Sequence, residues 1–162
     1  MGFSRVYDYE AGKADWFAAG LPREGRLAGK PRVGDIVRSD EVTCELDDKL
    51  GEAADKARDA GKDQCIVVID GNVVLGRIRG RALDGDSNQS VEDAMESGPT
   101  TFRTNETLEA VVGRMAARNV ESVLVTTSDG RLVGTLYRSD AQRGLAEDAD
   151  GSEPDEQSCN CM

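Results

Sequence analysis

The chain contains no histidine among its 162 residues. Histidine is the commonest general base and the commonest metal ligand of proteins, and its absence excludes the Ser–His and Cys–His pairs of nucleophilic catalysis. The phosphate-binding pattern G-x-x-x-x-G-K-[ST] is also missing. We therefore expect no catalytic residues, no metal site and no required cofactor.

Aromatic residues and long apolar runs are scarce as well. Aromatic side chains make up 4% of the chain, so aliphatic residues must supply most of the core within a hydrophobic content of 38%. No apolar run approaches the roughly 20 residues that a membrane-spanning helix requires. No positively charged leader with an apolar segment follows Met1. We expect a cytoplasmic protein with one compact domain, or a pair of small subdomains, and no membrane partner.

Positive charge is in short supply, and the formal net charge is −11. This charge argues against nucleic acid or an anionic membrane surface as the main partner. Six acidic side chains and no basic one lie between residues 147 and 156. Because such a segment cannot bury apolar surface, the tail 145–162 is predicted to be disordered. Its two cysteines, Cys159 and Cys161, carry no assigned role.

The strongest pattern in the chain is an internal duplication at a constant offset of 58 residues. Identical residues recur at this offset without a gap, in the pairs Val33 and Val91, Asp35 and Asp93, Thr43 and Thr101, Leu50 and Leu108, Val67 and Val125, and Gly76 and Gly134. A repeat of about sixty residues buries only a modest core by itself. The two copies are therefore expected to pack together.

Each copy is predicted to contain a short helix, a strand, a helix, two strands and a final helix. In the second copy, the apolar run 123–125 indicates a buried strand, and residues 132–137 indicate the returning strand of a hairpin. Gly134 lies inside the returning strand, which indicates that another backbone passes close to it. A short helix then follows from Arg138 to Arg143.

These elements divide the chain into five segments. They are 1–32 (N-terminal arm and linker), 33–84 (first repeat), 85–89 (linker), 90–144 (second repeat) and 145–162 (tail). Trp16 in the arm has two interpretations. It either covers core surface as part of a strap or anchors a partner protein.

The order of elements, the hairpin and the spacing from Gly134 to Asp140 resemble the cystathionine-β-synthase (CBS) domain. Two such domains in tandem resemble a Bateman module, and the resemblance covers residues 33–144. It implies an α/β (α+β) fold with two tandem β-α-β-β-α repeats, which pack through their sheets with pseudo-two-fold symmetry and leave two clefts. It also implies an adenosyl ligand such as AMP, ADP, ATP or S-adenosylmethionine.

The resemblance places the ribose of such a ligand against Asp140, since a carboxylate can accept two hydroxyl donors. The alternative is that Asp140 satisfies backbone donors at the helix start. The other implied binding residues are Tyr137, Arg138 and Ser139 at the helix start, Thr43, Cys44, Gln64 and Cys65 around the adenine, and Thr101 in the other cleft. Tyr137 departs from the serine or threonine of the family pattern. Cys44 and Cys65 also suit the alternative of buried small apolar residues.

The first copy departs further from the family pattern. The offset of 58 residues places Ala82 at the position of Asp140 and Arg79 at that of Tyr137. Arg77, Arg79 and Arg81 either bind phosphate or form a solvated edge that discourages strand pairing. We therefore expect at most one adenosyl site, built on Asp140.

Two functions remain open at this point. The first is a non-catalytic adenosyl-ligand sensor that forms a homodimer and signals to an effector protein in trans. The alternative is a ligand-free dimerisation or protein-interaction scaffold.

Overall fold

The computed structural model describes residues 29–151 together with Trp16 and Gly25. Trp16 is helical and partly buried, whereas the rest of the predicted arm up to residue 28, apart from Gly25, and the tail beyond residue 151 lie outside the described residues. Within the described residues, none of the helices combines the length and the apolar character that crossing a membrane requires. The cytoplasmic location stays a prediction.

The two copies share the order of a short helix, a strand, a helix, two strands and a final helix, to which the second copy adds the short strand β4. The first copy comprises α1 (Val33–Ile36), β1 (Thr43–Cys44), α2 (Leu50–Asp59), β2 (Gln64–Ile69), β3 (Val73–Arg79) and a short 3₁₀ helix (Gly80–Asp84). The second copy comprises α3 (Val91–Ala94), β4 (Glu96–Ser97), β5 (Thr101–Arg103), α4 (Leu108–Ala117), β6 (Ser122–Thr126), β7 (Leu132–Tyr137) and α5 (Arg138–Gly151). The predicted order of elements and the internal repeat are confirmed.

The strands form two sheets, β1–β4 and β5–β7. In each sheet the first strand runs parallel to the second, and the second and third form an antiparallel hairpin. The first hairpin turns at Asp70–Asn72, where Gly71 and Asn72 have φ angles of 70° and 69°. Ile66 and Leu124, which the repeat offset relates, share one buried cluster between the sheets. The predicted packing of the copies through their sheets is confirmed.

The first helix of each copy packs in the core of the other copy. Val33 of α1 is fully buried in the second copy's core, in the same cluster as Phe102. Val91 of α3 is buried in the first copy's core. Each packed core therefore combines residues from both sequence repeats, and neither repeat contains all of its own core.

The segment after each first helix crosses the hairpin of the other copy. β4 pairs with β3, with Ser97 opposite Gly76. At the hairpin of the second copy, Arg38 of the first copy and Thr135 exchange backbone hydrogen bonds of 3.0 and 2.9 Å. Gly134 lies beneath this crossing, since a Cβ atom there would be 1.9 Å from the carbonyl oxygen of Arg38. The close backbone approach predicted for Gly134 is confirmed.

The last helix is longer than the sequence predicts. The prediction ends it near Arg143 and begins a disordered tail at residue 145, but α5 continues to Gly151. Leu145 packs against the second copy's core, and Gly144 lies against Leu108. The predicted end of the helix is wrong because the acidic composition of this segment concealed a short apolar face.

Candidate functional site

Asp140 is the third residue of α5 and is buried, with 7% of its surface exposed. Its Oδ1 atom accepts a hydrogen bond of 2.7 Å from Nη2 of Arg143, which lies one helical turn later. Its Oδ2 atom lies 2.7 Å from Nη2 of Arg38. Both arginines are more than half exposed, so this buried carboxylate is covered by two cations that border solvent.

The contact between Arg38 and Asp140 is an ion pair without good hydrogen-bond alignment. Although the two atoms are 2.7 Å apart, the buried Oδ2 atom accepts no hydrogen bond of acceptable geometry from the described residues. A carboxylate oxygen in this state retains capacity for a hydroxyl donor. The side chain of Arg38 is 52% exposed, so it can move away without opening the core.

Tyr137 and Gln64 are connected to Arg38, the first through its ring and the second through Thr135, which exchanges backbone hydrogen bonds with Arg38. The guanidinium of Arg38 is 5.1 Å from the centroid of the Tyr137 ring, a cation–π distance. Burial, with a smaller contribution from Glu41, raises the pKa of Tyr137, so its hydroxyl stays protonated as a donor. Gln64 donates to the Thr135 hydroxyl at 3.2 Å and to Glu41 at 3.1 Å. These contacts connect three of the predicted residues, and we name the region the Asp140 cleft (Arg38, Gln64, Thr135, Tyr137, Asp140).

Four other predicted residues lie at its margins or elsewhere. Arg138 forms an ion pair with the exposed Glu121, which holds its guanidinium away from Asp140. Ser139 is exposed on α5. Thr43 and Thr101 are partly buried in β1 and β5. These two threonines occupy related positions of the two copies, as the duplication predicts.

Cys44 and Cys65 are core residues. They are 2% and 0% exposed and belong to the first copy's core cluster. The thiol of Cys44 lies 3.8 Å from the carbonyl oxygen of Ile66. Its hydrogen bond with Cys65, together with burial, raises the pKa of Cys44. Their side chains match the alternative of small buried apolar residues, and we do not retain them in the site.

We expect Cys44 and Cys65 to react with the thiol reagent DTNB only after unfolding, because burial denies access and opposes thiolate formation. The measurement uses the double variant Cys159→Ser, Cys161→Ser, which leaves two thiols in the chain. Both thiols should be silent in the folded protein and fully titrated in guanidinium chloride. Rapid reaction of either thiol under native conditions would contradict their placement in the core.

Sequence reasoning missed Arg38 and Thr135. Arg38 is far from Asp140 in the chain, and the crossing of its segment over β7 brings the two side chains together. One signal was present in the sequence. Arg38 corresponds to Glu96 at the repeat offset, so the two repeats carry opposite charges at this position although their apolar patterns are similar.

The other cleft has the opposite arrangement of charge. Arg79 replaces Tyr137, Ala82 replaces Asp140 and Glu96 replaces Arg38 at the repeat offset. The Oε2 atom of Glu96 lies 3.3 Å from Nε of Arg79. This cleft therefore offers arginines where the Asp140 cleft offers a carboxylate and a phenol.

A duplicated β-α-β-β-α unit with face-to-face hairpins and two related clefts defines a CBS-domain pair. The family model described as "CBS domain" matches residues 33–83 and 91–147. These matches cover more than half of the chain. The chain belongs to the CBS domain family. A search of curated protein sequences finds no match.

Solved structures with this fold have low sequence identity to the chain. The cytosolic domain of the Mg²⁺ channel MgtE in complex with ATP has a TM-score of 0.65 and 22% identity, covering 72% of this chain and 50% of the MgtE chain. The CBS domain pair of protein MJ0100 in complex with 5′-methylthioadenosine and S-adenosyl-L-methionine has a TM-score of 0.62 and 20% identity, covering 73% of this chain and 98% of that one.

CBSX2, a CBS-pair protein of Arabidopsis thaliana, has been solved in complex with AMP. That structure has a TM-score of 0.64 and 18% identity, covering 72% of this chain and 97% of CBSX2. The chain thus spans about half the length of the MgtE chain and nearly all of the two CBS-pair structures. Similarity at these identities establishes the fold.

Proposed function

We propose that the chain is a non-catalytic regulatory module that binds an adenosyl ligand, such as AMP, ADP, ATP or S-adenosylmethionine, in the Asp140 cleft. The observation that carries this proposal is the buried Asp140 carboxylate, whose Oδ2 atom accepts no well-aligned hydrogen bond from the described residues. The ribose of an adenosyl ligand has two adjacent hydroxyl donors, which one carboxylate can accept together. Solved relatives of the same fold contain ATP, AMP or S-adenosyl-L-methionine, which supports the ligand class.

Ligand entry requires Arg38 to leave Asp140. Its contacts there are the ion pair with Asp140 and the ring of Tyr137, and both involve a side chain that borders solvent. A released guanidinium can pair with the phosphate of a nucleotide, whose geometry matches its planar fork. The hydroxyl of Tyr137 would donate to the ligand in place of the serine or threonine hydroxyl of the family pattern.

The same residue offers a route from ligand to partner protein. Arg38 is bonded through its backbone to Thr135 of β7, and it follows α1, which packs in the second copy's core. A ligand that displaces Arg38 would bind more tightly to one conformation of the crossing segment than to another. The difference between these two affinities sets how far the conformational equilibrium shifts. An effector protein in trans would recognise this change in conformation, and it would bind a homodimer of the chain.

A ligand-free dimerisation or interaction scaffold is the second candidate. One observation favours it, namely the arginine nitrogen 2.7 Å from each oxygen of Asp140. Two cations neutralise this buried carboxylate without any ligand. In this function Asp140 is structural, and no nucleotide changes the stability of the protein.

The two candidates are separated by a thermal-shift panel of AMP, ADP, ATP and S-adenosylmethionine, followed by calorimetric titration. A ligand at about 100 times its dissociation constant adds roughly 2.7 kcal/mol to the free energy of unfolding, which raises the Tm by about 5–10 °C. The variant Asp140→Asn keeps the shape of the side chain and removes its charge. It should weaken the selected ligand about 10-fold to 100-fold, as expected for a hydrogen bond to a charged group.

Asp129→Asn is the matched control. Asp129 is an exposed carboxylate paired with Arg131 at 2.8 Å, outside the cleft, so this variant should bind as the wild type does. Equal affinity in Asp140→Asn and wild type would refute the assignment of the site. A panel with no shift in the wild type would favour the scaffold, and light scattering would then test for the homodimer.

A further inference from the structure

A pocket lined by three arginines includes Arg77 and Ser122, which the offset of 58 residues relates to Thr135 and Gln64 of the Asp140 cleft, so it belongs to the other cleft. It has a volume of about 400 Å³, part of it open to solvent, and it is lined by Arg77, Arg114, Arg118, Thr100, Ser122 and the aromatic ring of Phe102, among others. No acidic side chain lines it within the part of the chain that the structure describes. We name it the Arg77 pocket. Such a concentration of positive charge is unexpected in a chain with a net charge of −11.

Arg77 is poorly compensated by its neighbours. Its side chain is 12% exposed, and its buried Nε atom donates no hydrogen bond to any described residue. The Oε2 atom of Glu96 is 3.6 Å from this nitrogen, but the same oxygen is 3.3 Å from Nε of Arg79. One carboxylate is therefore shared by two guanidinium groups. Burial first, and then repulsion from Arg79, lower the pKa of Arg77, and the attraction of a bound anion would act in the opposite direction.

Arg114 lies in the last turn of α4, and Arg118 is the residue that follows the end of this helix. Both side chains line the pocket. Arg114 is held in place, because its guanidinium is 4.4 Å from the centroid of the Phe102 ring and forms an ion pair with Glu106. Arg118 is exposed and takes part in no ion pair within residues 29–151. The pocket therefore combines one guanidinium held in place (Arg114), one that is mostly covered (Arg77) and one that is exposed (Arg118).

We infer that the Arg77 pocket binds the phosphate group of a small phosphorylated molecule, held by Arg77, Arg114 and Arg118. Three guanidinium groups and the hydroxyls of Thr100 and Ser122 present more donors than a carboxylate, with about four lone-pair sites, can accept. A phosphate dianion supplies a second charge and a further acceptor oxygen. Since Ala82 provides no ribose carboxylate, the nucleoside is not required, and inorganic phosphate and pyrophosphate belong to the same ligand class. This inference goes beyond the proposed function, because it concerns the other cleft.

The test is calorimetric titration of the full chain with inorganic pyrophosphate. Arg118→Gln removes an exposed charge without disturbing the core, and it should weaken pyrophosphate about tenfold. Arg77→Met retains much of the buried volume and should weaken it at least as much. Arg131→Gln, which alters an exposed arginine outside both clefts, should leave the affinity unchanged. Unaltered affinity in Arg118→Gln and Arg77→Met, or no binding to the wild type at millimolar pyrophosphate, would overturn the inference.

Two further arms identify the site and the charge of the ligand. Asp140→Asn should retain pyrophosphate binding even where it loses adenosyl ligands, and loss of both would place the anion in the Asp140 cleft and overturn the inference. Inorganic phosphate is mainly a dianion at pH 7.5 and mainly a monoanion at pH 5.5, so its affinity should fall over this range while that of sulfate stays constant. Phosphate affinity that does not fall relative to sulfate would refute dianion recognition.

Discussion

Replacing Gly134 with alanine should lower the free energy of unfolding by about 3–5 kcal/mol, a loss in the range reserved for severe structural conflicts. The added Cβ atom would lie 1.9 Å from the carbonyl oxygen of Arg38 and 3.1 Å from Cα of Ser39. These are backbone atoms, so no side-chain rotation relieves the clash. The crossing segment must move away from β7, and with it the two backbone hydrogen bonds between Arg38 and Thr135 are lost.

Urea denaturation followed by circular dichroism measures this effect. Gly113→Ala is the control, because Gly113 is exposed in α4 and its Cβ would meet no atom within 4 Å. Alanine should stabilise that helix by about 1 kcal/mol. If both variants unfolded at the same urea concentration, the close crossing over Gly134 would be incorrect.

Replacing Val33 with aspartate should cost more than about 4 kcal/mol, because a carboxylate would enter an apolar core without a partner. Val33 is fully buried in the core of the second copy, although it begins the first. The substitution should therefore release α1 from the opposite repeat. Since α1 leads into the segment that contains Arg38, adenosyl binding in the Asp140 cleft should weaken together with stability.

Hydrogen exchange with detection by mass spectrometry locates the damage. In Val33→Asp, or in the milder Val33→Ala where the first does not fold, loss of protection should extend to α4 and β7 of the second copy. Gly29→Asp introduces the same charge at an exposed position with no atom within 4 Å of its Cβ and should behave as wild type. Damage confined to the first copy would contradict the exchange of helices.

The two clefts have the same backbone arrangement but carry opposite charges at corresponding positions. The Asp140 cleft combines a buried carboxylate with Arg38 from the crossing segment. The related cleft has Glu96 on the crossing segment and Arg79 on the strand. Ala82 stands at the position of Asp140, the proposed ribose partner, while Arg77, Arg114 and Arg118 add positive charge. We therefore expect the two clefts to take different ligand groups.

The sequence by itself determined the order of elements, the duplication and the close approach at Gly134. Helix and strand periodicity are local properties of the chain, and the repeat is detected by comparing residue identities at a fixed offset. A glycine inside an apolar strand is also a local signal with a limited set of physical causes. For these reasons residues 33–144 carry the family resemblance without any knowledge of contacts.

Only the tertiary structure decided which residues meet. Val33 joins the core of the opposite repeat, Arg38 covers Asp140, and Cys44 is enclosed in a core. It also placed Arg77 with Arg114 in one pocket and extended α5 through the burial of Leu145. Each of these contacts joins residues that are distant in the chain. Their energies depend on the packing of both copies together, which no local pattern within one copy encodes.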